Sequence, residues 1–537
     1  MSENVLSSNR TDCRKSSRLI NSFTILLALL VLAALALYVV RFVTAVQPGV
    51  SHDDAEYLVL AESFATGRPY RLINFPQQPF ETVWPPGYPL FILAPAWLVI
   101  GPNYDLLRAT SLILAIVNIG LVYKLFRPLL SPPFLMLVVA LFAFNQAVAG
   151  AAGLTMSETT FFFFSLLSVI LFSIWKEKPG ILNWQFLLLV FTLFATVLVR
   201  YIGVTLIVAA FIYLVVERKY ARAFVLTLSV FALLLPFGFF LYHLGTNAPR
   251  STSTVTMITW LLANLDEQLR LSLVNYWRTV PFVLVPVLGP KAVSILGAMQ
   301  LAWTVDLVHS VILLFIVVGV IKSLRRRELF AFYSVCYIFL LIMITPRVNT
   351  KIFNELRYTV PIIPFLYFFL IQGLGLTVTR FSKYRPFRQP KTITLGLGIM
   401  LLTILVLRNI QQARVEFPIV DLSVGATWVR DNSPENTVVI TPDPVSRYLY
   451  LRRVTVPYPK DRDPAVFLSE IEAKDVNYLL VAPALRTRDS QPNQALSLDS
   501  YMTDVVLPLI AENPTRFSLV YYDEKFNTSV YQVQQKP

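Results

Sequence analysis

The sequence predicts an α-helical, polytopic membrane protein of about eleven transmembrane helices, ending in a small extracytoplasmic α/β domain, and three observations predict it. Of the 537 residues, 55% are hydrophobic and only 15% are charged, a balance wrong for a string of soluble domains. Apolar runs of span length recur between residue 19 and residue 410, with basic residues gathered in every second connection between them. Beyond that point the pattern changes to short, alternating helix-like and strand-like runs.

The spans read as 19–46, 106–126, 133–149, 159–175, 184–199, 203–216, 223–244, 307–321, 329–345, 359–378 and 392–407. The first is longer than a signal-peptide core, lacks a small-residue cleavage site and follows Arg10, Arg14, Lys15 and Arg18. It is therefore a retained anchor behind a cytoplasmic tail, 1–18. Segment 88–100 is apolar but only about one-half to two-thirds of a span, so it reads as a juxtamembrane helix. The basic connections then share the cytoplasmic side. They carry Lys124 and Arg127; Lys176 and Lys178; Arg218, Lys219 and Arg222; Lys322, Arg325, Arg326 and Arg327; and Arg380, Lys383, Arg385, Arg388 and Lys391.

The expected organisation is a membrane domain, 19–410, whose first external loop is 47–105, and an extracytoplasmic domain, 411–537. The protein is expected to lie in the plasma (inner) membrane as a multi-pass chain with its N-terminus inside. The formal net charge of +14 is accounted for by this topology and by contacts with membrane lipids, not by nucleic acid. Cys13 on the inferred cytoplasmic side and Cys336 inside a span cannot form a structural disulfide. In the C-terminal domain, 424–431, 465–473 and 501–510 read as helices and 437–441, 478–481, 518–522 and 529–533 as strands. No catalytic constellation is visible there.

Chemistry points instead to the external side. Loop 47–105 opens with Ser51-His52-Asp53-Asp54-Ala55-Glu56-Tyr57, and Tyr57, Leu60, Ala61 and Phe64 then share one face of a short helix expected to lie on the membrane. Asp53 or Asp54 offers a general base at the water–lipid boundary; both also suit the cap and first turn of a helix, where the dipole favours acids. Trp84-Pro85-Pro86-Gly87-Tyr88-Pro89 forms a stiff wall that shapes a pocket or braces the loop. Glu158 lies between two spans, next to Ser157, which reads as a helix cap. Arg200, Arg347, Lys351 and Arg357 break the positive-inside pattern. They suit bidentate contacts to a lipid-borne phosphate, or else salt bridges such as Arg357 with Glu355 or Asp53, or anionic headgroups. His52, His243 and His309 are too scattered for a metal site, and no cofactor is expected.

At these residues the chain resembles the GT-C superfamily of membrane glycosyltransferases, in the branch of the protein O-mannosyltransferases and the aminoarabinose transferase of lipid A. The matching features are Asp53-Asp54-Ala55-Glu56-Tyr57, Pro85-Pro86-Gly87-Tyr88-Pro89, Arg108, Ser157-Glu158, Arg200 ahead of Gly203, and Arg357-Tyr358-x-x-Pro361-x-x-Pro364. Asp54 replaces the usual Glu, and Glu56 and Trp84 stand where the aminoarabinose transferases carry basic residues. The resemblance implies transfer of a sugar from a polyprenyl-phosphate donor to an acceptor hydroxyl on a lipid, glycan or protein, with Asp53 as base. Arg200, Arg357, Glu158, Trp84, Tyr88, Arg347, Lys351 and Tyr358 are the expected substrate contacts. The rival expectation is a lipid-linked sugar flippase; it calls for charged groups and broken helices near the midplane and repeated halves, which the sequence lacks.

Topology is directly testable in a chain whose native cysteines are replaced. Asn493→Cys is expected to react with an impermeant maleimide in intact cells, and Lys383→Cys only after the membrane is breached; the opposite pattern reverses the arrangement.

Overall fold

The computed structural model describes residues 25–81, 83–178, 180–245, 265–288, 299, 301–344, 357–382, 384, 389–413, 421–483 and 498–534. The membrane region begins with α1 (Ile25–Val43), followed in the first long loop by α2 (Asp53–Ala65) and by α3 (Ala94–Ile100), which continues a π-helical turn at Pro89–Leu93. Then come α4 (Tyr104–Phe126), α5 (Pro132–Ala143), α6 (Gln146–Ala152), α7 (Ser157–Trp175), α8 (Trp184–Val199), α9 (Val204–Val216) and α10 (Tyr220–Gly245). The series continues with α11 (Leu265–Leu284), α12 (Ala302–Arg325), α13 (Leu329–Ile344), α14 (Ile363–Arg380) and α15 (Pro390–Ala413).

The helix starts follow from local chemistry. Asn103 and Asn183 cap α4 and α8, accepting from the amides of Leu106 (3.1 Å) and Phe186 (2.9 Å). Pro132 and Pro390 open α5 and α15, where a missing amide hydrogen costs nothing. Asn145 breaks the predicted span 133–149 in two. Its carbonyl caps α6 while its amide donates to the Val283 carbonyl (2.7 Å) and the Tyr367 hydroxyl (2.9 Å), so the chain bends by 57° between α5 and α6.

Over the described residues each predicted span is mainly helical, but seven described helices are long and apolar enough to cross a bilayer, or eight with the bent α5–α6 pair. Helices α8, α9 and α13 are shorter, so length alone does not establish a count of eleven. Leu98, Leu187, Phe224 and Leu235 stand exposed, as lipid-facing side chains do. The most buried of the candidate spans are α7 (78%) and the run Arg357–Arg380 containing α14 (72%); Glu158 lies in the first turn of the one and Arg357 begins the other. At the other end of the bundle the basic connections meet: Arg222 donates to the Lys176 carbonyl (2.7 Å) and Arg327 pairs with Glu217 (2.6 Å).

After α15 the chain forms α16 (Ala426–Asn432), β1 (Val438–Thr441), α17 (Pro444–Leu451), β2 (Val454–Pro457), α18 (Pro464–Ala473), β3 (Tyr478–Val481), α19 (Leu507–Glu512), β4 (Phe517–Asp523) and β5 (Thr528–Val533). A π-helical turn, Met502–Val506, leads into α19. The sheet order is β2-β1-β3-β5-β4, with β2, β1 and β3 parallel and the β4–β5 hairpin antiparallel at one side. Two-residue alternation divides the apolar side chains: Ile440, Leu479 and Val481 face Phe467, Ile471 and Val506, while Val439, Leu480 and Val530 face Ala426, Val429 and Leu451.

Helix α2 corrects one expectation. It does not lie on the membrane by one apolar face, because Ala55 and Tyr57 through Ser63 are buried. The C-terminal domain covers its second side, with Arg452 gripping Glu62 through both nitrogens at 2.8 Å.

The Pro85-Pro86-Gly87 brace packs against the end of α8. A Cβ at Gly87 would lie 2.5 Å from both the Leu198 carbonyl carbon and the Val199 nitrogen, one residue before Arg200. Gly87→Ala is expected to cost about 1 to 3 kcal/mol by overpacking, read as a lower thermal midpoint of the detergent-solubilised protein. An unchanged midpoint would show that this contact is not tight.

Candidate active site

The charges that the sequence places on three separate connections converge on Glu158. Arg357 Nε and Arg200 Nη1 each donate to Glu158 Oε1 at 2.9 Å, and Arg357 Nη2 donates to Asp53 Oδ2 at 2.9 Å. Glu158 is 2% exposed, and its other oxygen has no partner among the described residues. Asp53 and Arg357 keep 20% and 23% of their side chains exposed, so the Asp53 end of the chain is the open one. An isolated buried carboxylate is prohibitively costly, and two guanidinium groups are what hold this one ionised.

The surrounding groups extend the cluster. Ser157 does not cap α7: Met156 occupies that position without a side-chain bond, and the Ser157 hydroxyl instead accepts from Tyr57 (3.2 Å) and Arg200 (3.3 Å). The Tyr57 ring meets Trp84 and Tyr88 edge-on at 5.7 and 5.2 Å. Trp84 is half-buried, whereas Tyr88 is fully buried with its hydroxyl 3.2 Å from that of Ser111. The Arg200 guanidinium lies 5.3 Å from the centre of the Tyr358 ring. Arg108 belongs elsewhere, donating to the Val46 carbonyl (3.0 Å) and pairing with Asp105 (3.2 Å). Arg347 and Lys351 lie outside the described residues.

The two aspartates have different surroundings. Asp53 is the first residue of α2, and no side chain caps that helix; its carboxylate goes to Arg357, the salt bridge that was one of the sequence's open alternatives. Asp54 is buried and accepts from the backbone amides of Gly49 (2.8 Å) and Ala55 (2.9 Å). Burial pushes its carboxyl up to about 6, against the pull of those two hydrogen bonds.

What the sequence did not reveal is the C-terminal domain's share of this region. Asp443 lies 3.6 Å from His52, the Ser446 hydroxyl donates to the Gly49 carbonyl (2.7 Å), and Arg452 holds Glu62. No local pattern announces contacts between residues 390 positions apart.

No known family model and no curated protein sequence matches the chain. Solved structures do. ArnT from Cupriavidus metallidurans, in the apo state, aligns over 95% of this chain and 98% of its own, with a TM-score of 0.54 at 14% identity. The archaeal oligosaccharyltransferase AglB from Archaeoglobus fulgidus, in complex with an inhibitory peptide and a dolichol-phosphate, aligns over 94% of this chain and 74% of its own, with a TM-score of 0.54 at 13% identity. The likeness is one of fold, the fold that the sequence resemblance to the GT-C superfamily implies, and in this chain it comprises a helical membrane region followed by a small C-terminal sheet domain.

The Asp54 environment gives a pH dependence. Its folded value, about 6, exceeds the ordinary 3.8, so its contribution to stability is fully present below pH 4 and is lost as pH rises through 6. Asp54→Asn removes that loss. Relative to wild type, the variant is expected to gain about 1 kcal/mol of stability between pH 5 and pH 7.5, in thermal scans at the two pH values. A constant difference would mean that Asp54 does not titrate in this window.

Proposed function

We propose that the protein is an inverting glycosyltransferase that moves a sugar from a polyprenyl-phosphate donor to an acceptor hydroxyl on the extracytoplasmic face of the membrane. The observation that carries the reading is the run Asp53–Arg357–Glu158–Arg200 at one end of the bundle, with its carboxylate end open. The fold supports it, as does the dolichol-phosphate named in the AglB complex.

In the mechanism, the acceptor oxygen attacks the anomeric carbon as its proton passes to Asp53. The bond from that carbon to the phosphate oxygen breaks, its electron pair leaving with the polyprenyl phosphate. Arg357 and Arg200 neutralise the charge developing on the leaving oxygen, a task planar guanidinium groups perform by paired contacts. Glu158 keeps both of them aimed at one place. Two cations and two carboxylates make the resting cluster neutral, so an arriving phosphate takes Arg357 from Asp53, and that exchange frees the carboxylate oxygen to accept a proton. Half-buried Trp84 is the platform for the sugar, backed by Tyr57 and Tyr88. Tyr358, beside Arg200, lines the donor side, and Arg347 and Lys351, outside the described residues, are kept as proposed donor contacts on the resemblance alone.

The test is release of polyprenyl phosphate from labelled polyprenyl-phosphate sugars by purified protein. Asp53→Asn keeps the shape but removes the proton acceptor, so turnover is expected to fall roughly 10²- to 10⁴-fold. Arg357→Ala and Arg200→Ala are each expected to weaken donor use by roughly 10- to 100-fold. Wild-type turnover by Asp53→Asn on folded protein would sink the assignment of the base.

A further inference from the structure

Between the end of α1 at Val43 and the start of α2 at Asp53 the chain reverses, and its last step is strained. His52 adopts φ 59° and ψ −59°, with the Asp53 amide donating to the Ser51 carbonyl at 2.7 Å. This is the positive-φ form of γ-turn, rare and costly for any residue with a Cβ. Such a conformation persists only where its surroundings over-determine it, and α2 has no side-chain cap to help.

The C-terminal domain supplies the constraint. The Ser446 hydroxyl donates to the Gly49 carbonyl at 2.7 Å and the Tyr450 hydroxyl to the Pro48 carbonyl at 2.8 Å. Gln47 accepts from the Leu422 amide at 2.9 Å. Gly49 itself has φ +98°, and a Cβ there would come within 3.1 Å of Leu422 and 3.2 Å of Leu449, so the domain closes directly over the turn. The far end of α2 is gripped too: Arg452 holds Glu62 bidentately, and the Thr455 amide donates to the Asn74 carbonyl at 2.8 Å. Asp443 and Arg452, which face His52 and Glu62, are themselves non-glycine residues at φ 54° and 53°. Strain therefore lies on both sides of this contact.

We infer that the C-terminal domain is a working part of the transfer site: it clamps the strained turn that presents Asp53 to Arg357, with Ser446 and Arg452 as positioning residues. The inference rests on the proposed roles of Asp53 and Arg357. A domain that merely packs on the loop would contribute stability alone. A clamp has a further consequence, because Asp53 and a phosphate compete for Arg357, so loosening the turn releases Arg357 to the phosphate.

The experiment measures binding of undecaprenyl phosphate to the full-length purified protein, with hydrogen exchange of residues 47–54 followed on the same samples. The proteins are wild type, Asp53→Asn, Arg357→Ala, Ser446→Ala, Arg452→Lys, and Ser446→Ala combined with Arg452→Gln. Asp53→Asn removes the competitor and is expected to tighten binding roughly 3- to 10-fold. The combined variant is expected to speed exchange in 47–54 and to tighten binding in the same direction, with Arg452→Lys, which keeps the charge but not the fork, in between. Should the combined variant lose its fold, Ser446→Ala, which removes a single hydroxyl, carries the same comparison. Faster exchange with wild-type binding, while Asp53→Asn binds more tightly, would overturn the clamp and leave the site reading intact; unchanged exchange would overturn it as well. If Asp53→Asn and Arg357→Ala both bind as wild type does, the phosphate reading of the cluster fails first, and the clamp falls with it.

Discussion

The Glu158 carboxylate organises the site because it cannot be buried alone. Removing a carboxylate from water costs several kcal/mol even after relaxation, and one guanidinium rarely offsets it. Here two do, from Arg200 at the turn after α8 and Arg357 at the head of the run leading into α14. The positive charge left over is met by Asp53 from the first loop. Four chain segments that share no local sequence signal are therefore compelled to meet at one end of the bundle. The packing agrees, since Glu158 and Arg357 stand in the first turns of the two most buried candidate spans and their positions are fixed by helices that touch protein on most sides.

The second constraint acts on the loop. A carboxylate at the first residue of a helix can point in many directions, and α2 carries no cap to choose among them. Its direction is set from outside, by the γ-turn at His52 and by a domain whose chain lies nearly four hundred residues further along, as Ser446 on Gly49 shows. Burial of the neighbouring Asp54 on the Gly49 and Ala55 amides works to the same end. Its raised pKa records the cost of using a buried carboxylate to hold backbone.

How much of this was legible in the sequence depended on whether a signal was local. Among the described residues the long apolar runs are helical where they were expected, and the short strand 478–481 is legible because four β-prone residues stand together. Helix α17 and strand β2 were missed: Arg447, buried with its guanidinium on the Leu422 carbonyl (3.1 Å), interrupts the apolar period, and β2 is four residues ending in Pro457. In the site, Arg200 and Arg357 were conspicuous because they oppose the topology pattern, a one-dimensional signal. That they share one carboxylate was not visible, nor that Ser157 serves Tyr57 and Arg200 instead of capping its helix. Pairings of this kind depend on how helices lie beside one another, which neither spacing nor composition encodes.

A neutral resting cluster has a consequence for the order of events in the proposed reaction. An open pair of arginines would bind any anion that reached it, including headgroups of surrounding lipids. Here Asp53 already occupies Arg357 at 2.9 Å, so a phosphate enters only by displacing it. A carboxylate oxygen that accepts from a guanidinium has that lone pair occupied, and displacement of the guanidinium frees it, so donor binding and release of the proposed base become one exchange. The base is then ready only when a leaving group is in place. For that coupling to work, Asp53 must be held near Arg357 yet remain displaceable, and a turn under strain, clamped from the neighbouring domain, meets both requirements: a relaxed turn would let the carboxylate wander, and a fully buried pair would not yield to the phosphate.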